Sequence, residues 1–145
     1  MGDTSYEYTG INTSATVTFP AGEDLADIGA TAVLLAEEGL SKPDAGAEVL
    51  GIIPISEDGA YKKGDDITVQ VKDIGIWRAG AGLARGTLLA TDKDGLCQGA
   101  SAGQYICARA LTSASAKGDL IRVQIIHAGM MAQTQTDDKT EQGGD

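Results

Sequence analysis

The sequence contains one nine-residue motif twice, KGDDITVQV at residues 63–71 and KGDLIRVQI at residues 117–125, with six of the nine positions identical. In each copy a Gly-Asp pair precedes β-branched residues that alternate with polar ones. Glycine supplies the positive φ of a tight turn, and the aspartate carboxylate can accept hydrogen bonds from nearby amides. Each copy therefore predicts a turn followed by a strand.

Shorter matches indicate that the repeat is longer than the motif. They keep the same order in both halves: AGEDLA with AGAGLA (21–26 and 79–84), LLA (34–36 and 88–90) and GL (39–40 and 95–96). We interpret residues 19–76 and 77–127 as a duplicated β-unit. Two units are too few for a solenoid, so we predict an all-β fold, a small barrel or sandwich in which the units pack together.

The predicted organisation is one β-domain of residues 19–127 with a segment at either end. Residues 1–18 form an extended arm, and residues 128–145 form a flexible, polar and acidic tail. Only 4% of the residues are aromatic, so the core should consist of small aliphatic side chains. A short helical turn is expected at residues 21–30.

Trp77 is predicted to be the large core residue of the second unit, at the position that Phe19 occupies in the first. Ile74 and Ile76 should face the opposite side of the same strand, since side chains alternate along a strand.

The arm is rich in residues that tolerate extended structure. Its candidate binding residues are dispersed among Thr, Ser, Gly and Asn: Tyr6, Tyr8, Ile11 and Val17. Such an arm could close the sheet of its own domain, or it could add a strand to the sheet edge of another protein. We favour the second alternative.

Charge is divided unequally between the two units. The net charge of −10 argues against a nucleic-acid partner. Residues 19–76 hold 12 acidic and 4 basic residues, whereas residues 77–127 hold 3 acidic and 6 basic ones. This division suits a head-to-tail ring, in which the acidic unit of one subunit meets the basic unit of the next, although for any single arginine a merely solvated charge is favoured. The candidate inter-subunit contacts are the four arginines, Arg78, Arg85, Arg109 and Arg122.

Membrane and export signals are not expected from the sequence. No apolar run approaches the roughly 18 residues of a membrane span, and the N-terminus lacks the basic and apolar regions of a signal peptide. We therefore expect no membrane partner and synthesis in a cytosol-like compartment.

Catalytic, metal and cofactor motifs are scarce, so we expect no enzyme and no cofactor. His127 is the one histidine, and the sequence positions no nucleophile beside it. The segment from Asp92 to Gly95 begins like a calcium loop but lacks the later acidic ligands, which favours an ordinary turn. Cys97 and Cys107 could pair across a hairpin, but two buried thiols are favoured.

Two other functions remain open at this point. Lys93 lies in a turn that resembles the hairpin tip carrying the modified lysine of lipoyl and biotinyl domains. A β-domain of this size could also recognise a surface ligand such as a carbohydrate, which would require exposed aromatic side chains. Exposure of Trp77 together with Tyr61 would favour this second alternative.

Across about residues 16–126, the order and spacing of strands and turns resemble the capsid cement, or head decoration, proteins of tailed bacteriophages. The matching segments, in order, are TVTFPAGEDL (16–25), LL (34–35), VLGI (49–52), KGD (63–65), RGTLL (85–89) and KGDLI (117–121). The resemblance implies a structural virion protein on the outer surface of an expanded capsid. It further implies a homotrimer that clamps neighbouring subunits of the major capsid protein.

Overall fold

Two five-stranded antiparallel sheets make up most of the protein, and each corresponds to one copy of the repeat. The computed structural model describes residues 14–132. The strands of the first unit are β1 (Thr16–Pro20), β2 (Leu25–Ala26), β3 (Ala32–Ala36), β4 (Gly39–Ser41), β5 (Gly51–Ile52), β6 (Ala60–Tyr61) and β7 (Asp66–Gln70). The strands of the second unit are β8 (Asp73–Arg78), β9 (Leu88–Thr91), β10 (Cys97–Gly99), β11 (Tyr105–Ala110) and β12 (Leu120–Met130). A 3₁₀ helix, Ile55–Glu57, precedes β6.

The two sheets have the same topology. The first has the order β1-β7-β5-β3-β4, and the second has the order β8-β12-β11-β9-β10. Phe19 pairs with Ile67 across β1 and β7, and Trp77 pairs with Ile121 across β8 and β12. Both the duplication and the all-β class predicted from the sequence are thereby confirmed, and the equivalence of Phe19 and Trp77 is confirmed with them.

The repeated Lys-Gly-Asp segment forms the same turn in both units. Gly64 and Gly118 each have a φ of +96°. Gly64 N donates to Ala21 O at 2.8 Å, and Gly118 N donates to Ala79 O at 2.7 Å. The aspartate after each glycine accepts hydrogen bonds from backbone N–H groups of the same turn, as the sequence predicted. The motif therefore fixes the start of β7 and β12 against the end of β1 and β8.

A single parallel bridge brings the edges of each sheet together without closing a barrel. Ala21 bridges Leu40 in the first unit, and Ala79 bridges Cys97 in the second. The amide that follows each alanine donates a 2.7 Å hydrogen bond, from Gly22 to Leu40 O and from Gly80 to Cys97 O. These contacts cover the outer edges of β4 and β10, which would otherwise present unpaired backbone groups.

The register of the sheets corrects two details of the sequence comparison. Val33 is equivalent to Leu89. In the first unit β3 pairs with β5 and β5 with the repeated motif on β7, and in the second unit β9 pairs with β11 and β11 with the motif on β12. Counted from the motif along these pairs, the LLA match is displaced by two residues. A shift of two residues keeps every side chain on the same face of a strand, so the pattern could not reveal it. Leu40 is likewise equivalent to Cys97 rather than to Leu96.

Two further predictions about local structure differ from the observed fold. The helical turn expected at residues 21–30 is wrong, because this segment forms β2 and irregular turns. Asp27 and Ala30 there have φ values of 54° and 62°, which no right-handed helix permits. The second unit begins at Asp73, four residues before the boundary that the sequence matches suggested.

The units share part of one core. The first cluster contains first-unit residues such as Val33, Leu40 and Val69. The second cluster surrounds Trp77 and also includes three residues of the first unit, Ala32, Val49 and Ile52. Trp77 is 0% exposed, and its Nε1 donates to Gly95 O at 2.7 Å, so its predicted core position is confirmed.

Cys97 and Cys107 are buried free thiols, as the favoured alternative predicted. Burial raises the pKa of each to about 12, because the thiolate would lose its hydration. Both groups are therefore neutral at physiological pH and are poor nucleophiles.

The first and last strands extend beyond the predicted limits of the domain by three residues each. β1 starts at Thr16, so residues 16–18 belong to the first sheet although the sequence assigned them to the arm. β12 continues to Met130, which pairs with Tyr105. Residues 128–130 of the predicted tail therefore belong to β12, whereas residues 1–13 of the predicted arm and residues 133–145 of the predicted tail lie outside residues 14–132.

Candidate interaction surface

The outward side of the second sheet is a surface of apolar and cationic side chains, which we call the basic face. One row crosses four strands, since Leu88 pairs with Arg109, Arg109 with Gln124, and Gln124 with Ile74. Two further pairs extend the surface along β12 and β8: Arg122 with Ile76 and Leu120 with Arg78. Trp77 and Ile121 point to the opposite, buried side.

Two apolar members of the basic face are strongly exposed, whereas Leu88 and Ile76 are half-buried. Ile74 is 57% exposed and Leu120 is 49% exposed, and both are among the exposed large hydrophobic residues of the described chain. Exposed apolar side chains that lie among cationic ones can mark a contact with another molecule. The basic face therefore has the composition of a protein-binding surface, in which arginine is enriched.

The arginines of the basic face lack anionic partners within residues 14–132. The salt bridges found there join Lys63 to Glu38 and Lys93 to Asp94, and neither involves an arginine. The cross-strand pairs of the basic face contain no acidic residue. An acidic surface on a second molecule could therefore pair with these guanidinium groups, which form planar hydrogen bonds with carboxylates.

The equivalent surface of the first unit is largely covered. Ile52 occupies the position of Arg109, and Ala32 occupies that of Leu88, by the register through Gln70 and Gln124. Both Ala32 and Ile52 are buried in the second cluster. Gln70 donates from Nε2 to Lys72 O and Ile74 O, each at 2.9 Å. The same row is thus a packing surface in one unit and an open surface in the other.

The four candidate arginines do not all lie on the basic face. Arg78, Arg109 and Arg122 lie there, on β8, β11 and β12. Arg85 is exposed in the turn before β9, next to Gly86, whose N–H donates to Ala110 O. Arg85 is therefore outside the cross-strand rows.

The candidate arm residues are divided by the limit of the described chain. Val17 lies on β1 and pairs with Val69, where it packs against the first cluster. Tyr6, Tyr8 and Ile11 lie outside residues 14–132. The predicted binding role of the arm therefore concerns the residues that precede β1.

A concave surface lies between the two units. It is a cleft of about 560 Å³, lined by Leu35, Glu48, Val49, Leu50, Val71, Tyr105 and His127. His127 Nδ1 lies 2.7 Å from the Tyr105 hydroxyl, and its Nε2 lies 3.1 Å from Val71 O. Both ring nitrogens are therefore engaged, and the contact of Nε2 with Val71 O joins the two units, so the histidine has a structural role.

The positions of Trp77 and Tyr61 do not meet the condition set for carbohydrate recognition. Trp77 is buried, and the Tyr61 hydroxyl donates to Glu57 Oε1 at 2.7 Å. This hydrogen bond, with smaller contributions from desolvation and nearby carboxylates, raises the Tyr61 pKa to about 12. The two aromatic residues therefore form no joint stacking surface.

The turn between β9 and β10 does not project as a free hairpin tip. Lys93 is exposed, and its Nζ lies 3.7 Å from Asp94 Oδ2. Asp92 Oδ1 accepts hydrogen bonds from the amides of Asp94 and Leu96, and Gly95 is buried against the first unit. Within residues 14–132, no group of three or more His, Cys, Asp or Glu side chains is arranged to hold a metal ion.

Among residues 14–132 no helix has the length and apolar character that a membrane span requires.

The apolar part of the basic face was predictable from the sequence only for Ile74 and Ile76. The opposite orientations of Trp77 and of Ile74 and Ile76 were predicted and are confirmed. The exposure of Leu120 was not anticipated. The available signal was its position directly before the buried Ile121, since exposed and buried residues alternate from Leu120 to Ile125.

Comparisons with known proteins give one informative result. No protein-family model matches the chain, and no curated protein matches it in sequence. Its fold is similar to the crystal structure of the head fiber gp8.5 N base of bacteriophage phi29, with a TM-score of 0.57 and 17% sequence identity. The match covers 80% of this chain and 97% of that one. At this identity the likeness establishes the fold that the two proteins share.

Proposed function

We propose that this chain is a structural protein of a tailed-phage virion that binds the outer surface of the expanded capsid. It would stabilise the capsid by clamping neighbouring subunits of the major capsid protein. The observation that carries the proposal is the fold similarity, which covers 97% of a head fiber base. The order of motifs that resembles capsid cement proteins supports the same assignment.

The geometry suits a role in binding rather than in chemistry. The duplicated sheets are joined by a shared core and by contacts such as Ala32 N to Gly95 O and His127 Nε2 to Val71 O, which make a stable platform. The basic face offers an exposed surface, and β1 lies at an edge of the first sheet. We assign capsid contact to the segment before β1, since an extended arm can add a strand to a sheet edge.

Several arms in one assembly would strengthen each weak contact. Once one arm is bound, the others are held near their sites at a high effective concentration. This argument applies to a ring of copies such as the homotrimer that the family resemblance implies.

Deletion of residues 1–13 is expected to abolish binding to expanded capsids while leaving the domain folded. The deletion removes Tyr6, Tyr8 and Ile11 but keeps all of β1, whereas a deletion through residue 18 would also remove three residues of that strand. Co-sedimentation with undecorated capsids measures binding, and chemical denaturation measures the free energy of unfolding.

A variant that lacks residues 133–145 is the matched control, because it removes the same length of chain from the opposite terminus. We expect this control to bind as the full chain does. Undiminished capsid binding by the protein without residues 1–13 would show that the arm does not make the contact.

A further inference from the structure

We propose that the basic face binds the first unit of a second copy of this chain, at the turn between β3 and β4. This self-association does not require a capsid, so it can be tested apart from the proposed function. The argument uses a contact that already exists between the two units of one chain.

Within the chain, the outward row of the first unit contacts the β9–β10 turn of the second. Ala32 N donates to Gly95 O at 2.8 Å. The approach is so close that a side chain on Gly95 would place its Cβ 2.7 Å from Ala32 O. Ala32 and Leu88 are equivalent in the repeat, so the corresponding contact of the second unit would be made at Leu88.

If the internal contact is repeated, the second unit of one copy meets the first unit of another copy. In that first unit, the turn between β3 and β4 corresponds to the β9–β10 turn. It consists of Glu37 and Glu38 between the paired residues Ala36 and Gly39. Both glutamates are exposed, and Glu37 forms no ion pair with a described residue. A second copy thus carries an acidic turn at the place where a repetition of the internal contact would meet Leu88 of the first copy.

The charges of the two surfaces are complementary. The acidic turn borders a concave surface of about 580 Å³ lined by Gly22, Ala36, Glu37, Glu38, Gly39 and Ser41. The basic face places Arg109 beside Leu88 and Arg122 on the neighbouring strand β12. The salt bridge between Glu38 and Lys63 is exposed and therefore contributes little free energy. Glu38 can leave Lys63 and pair with an arginine of a second copy at little cost in free energy.

The contact is head-to-tail, because it joins two different surfaces. Repetition of such a contact gives a closed ring when the rotation closes and a filament when it does not. The second unit has Arg109 at the position where the first unit has the buried Ile52. This arginine would restrict the partner to an acidic surface, since an apolar surface leaves the guanidinium groups unpaired.

The test is sedimentation velocity of the full-length protein over a range of concentrations, without capsids. Arg109→Glu/Arg122→Glu and Glu37→Lys/Glu38→Lys should each weaken self-association at least about tenfold. An equimolar mixture of the two variants should restore association to within about threefold of the wild-type protein, because each variant then meets its complement. Raised ionic strength should weaken the wild-type contact.

The control is Lys93→Glu/Lys117→Glu, which changes the net charge equally but alters exposed cations outside the basic face. This variant should associate as the wild-type protein does. A wild-type protein that stays monomeric at all concentrations, face variants that still associate, or a mixture that fails to recover would each overturn the proposal. Thermal unfolding of every variant verifies that all are folded.

Discussion

Trp77→Ala is expected to lower the free energy of unfolding by about 3–5 kcal/mol, the usual cost of truncating a large buried aromatic residue. Trp77 is fully buried in the cluster that joins the units, and the cavity would be lined by residues from both. Gly95 O would keep its hydrogen bond from Ala32 N, so the loss comes mainly from packing. Denaturant unfolding followed by far-UV circular dichroism measures the change.

Two further substitutions test this explanation. Trp77→Phe should cost less, because it retains an aromatic ring in the same position. Phe19→Ala changes the equivalent residue of the first unit, which is only half-buried, and should cost about 1–3 kcal/mol. A loss for Phe19→Ala as large as that for Trp77→Ala would contradict the central role of the shared core.

Gly39→Ala is expected to destabilise the first unit by at least about 3 kcal/mol, since two penalties combine. Gly39 has a φ of +134°, which side chains rarely permit. Its added Cβ would lie 2.3 Å from Pro20 O and 2.9 Å from Gly22 N, and both are backbone atoms. The clash falls where the edges of the first sheet meet, so the bridge between Ala21 and Leu40 would have to separate.

Gly118→Ala is the matched control for this substitution. Gly118 has a φ of +96°, but no atom lies within 4 Å of its added Cβ, so only the conformational penalty of about 1–2 kcal/mol applies. The difference between the two variants isolates the close approach of the sheet edges. Equal losses in denaturant unfolding would show that this approach is not required.

The duplication was predictable because both copies keep the residues that make the turn. Lys-Gly-Asp recurs because Gly64 and Gly118 need a positive φ and the aspartates accept amide hydrogen bonds. The β3 and β9 strands carry no such requirement. Any apolar alternation satisfies them, so their correct register, Val33 with Leu89, depended on strand pairing.

The helical turn at residues 21–30 was wrong for a related reason. Leu25 and Ile28 have helical spacing, but tertiary contacts override this weak preference. Leu25 pairs with Tyr61 in the short β2–β6 ladder, and Ile28 is buried in the first cluster. The contact of Asp58 Oδ1 with Gly29 N then holds the segment in an irregular path.

The candidate surface was predicted only in part. The excess of arginine in the second unit was visible in the sequence, but the grouping of Arg109 and Arg122 beside Ile74 and Leu120 depends on the strand order. Arg85 could not be separated from the others without that order. The pairing of the basic face with the acidic turn follows from comparing the units in three dimensions.

The most direct measurement of the proposed function is the melting temperature of expanded, undecorated capsids with and without the full-length protein. Saturating protein should co-sediment in a fixed ratio to the major capsid protein and raise the capsid melting temperature, because binding only the assembled state stabilises it. Capsids that melt at the same temperature, with no protein in the pellet, would contradict the assignment as a capsid-stabilising virion protein.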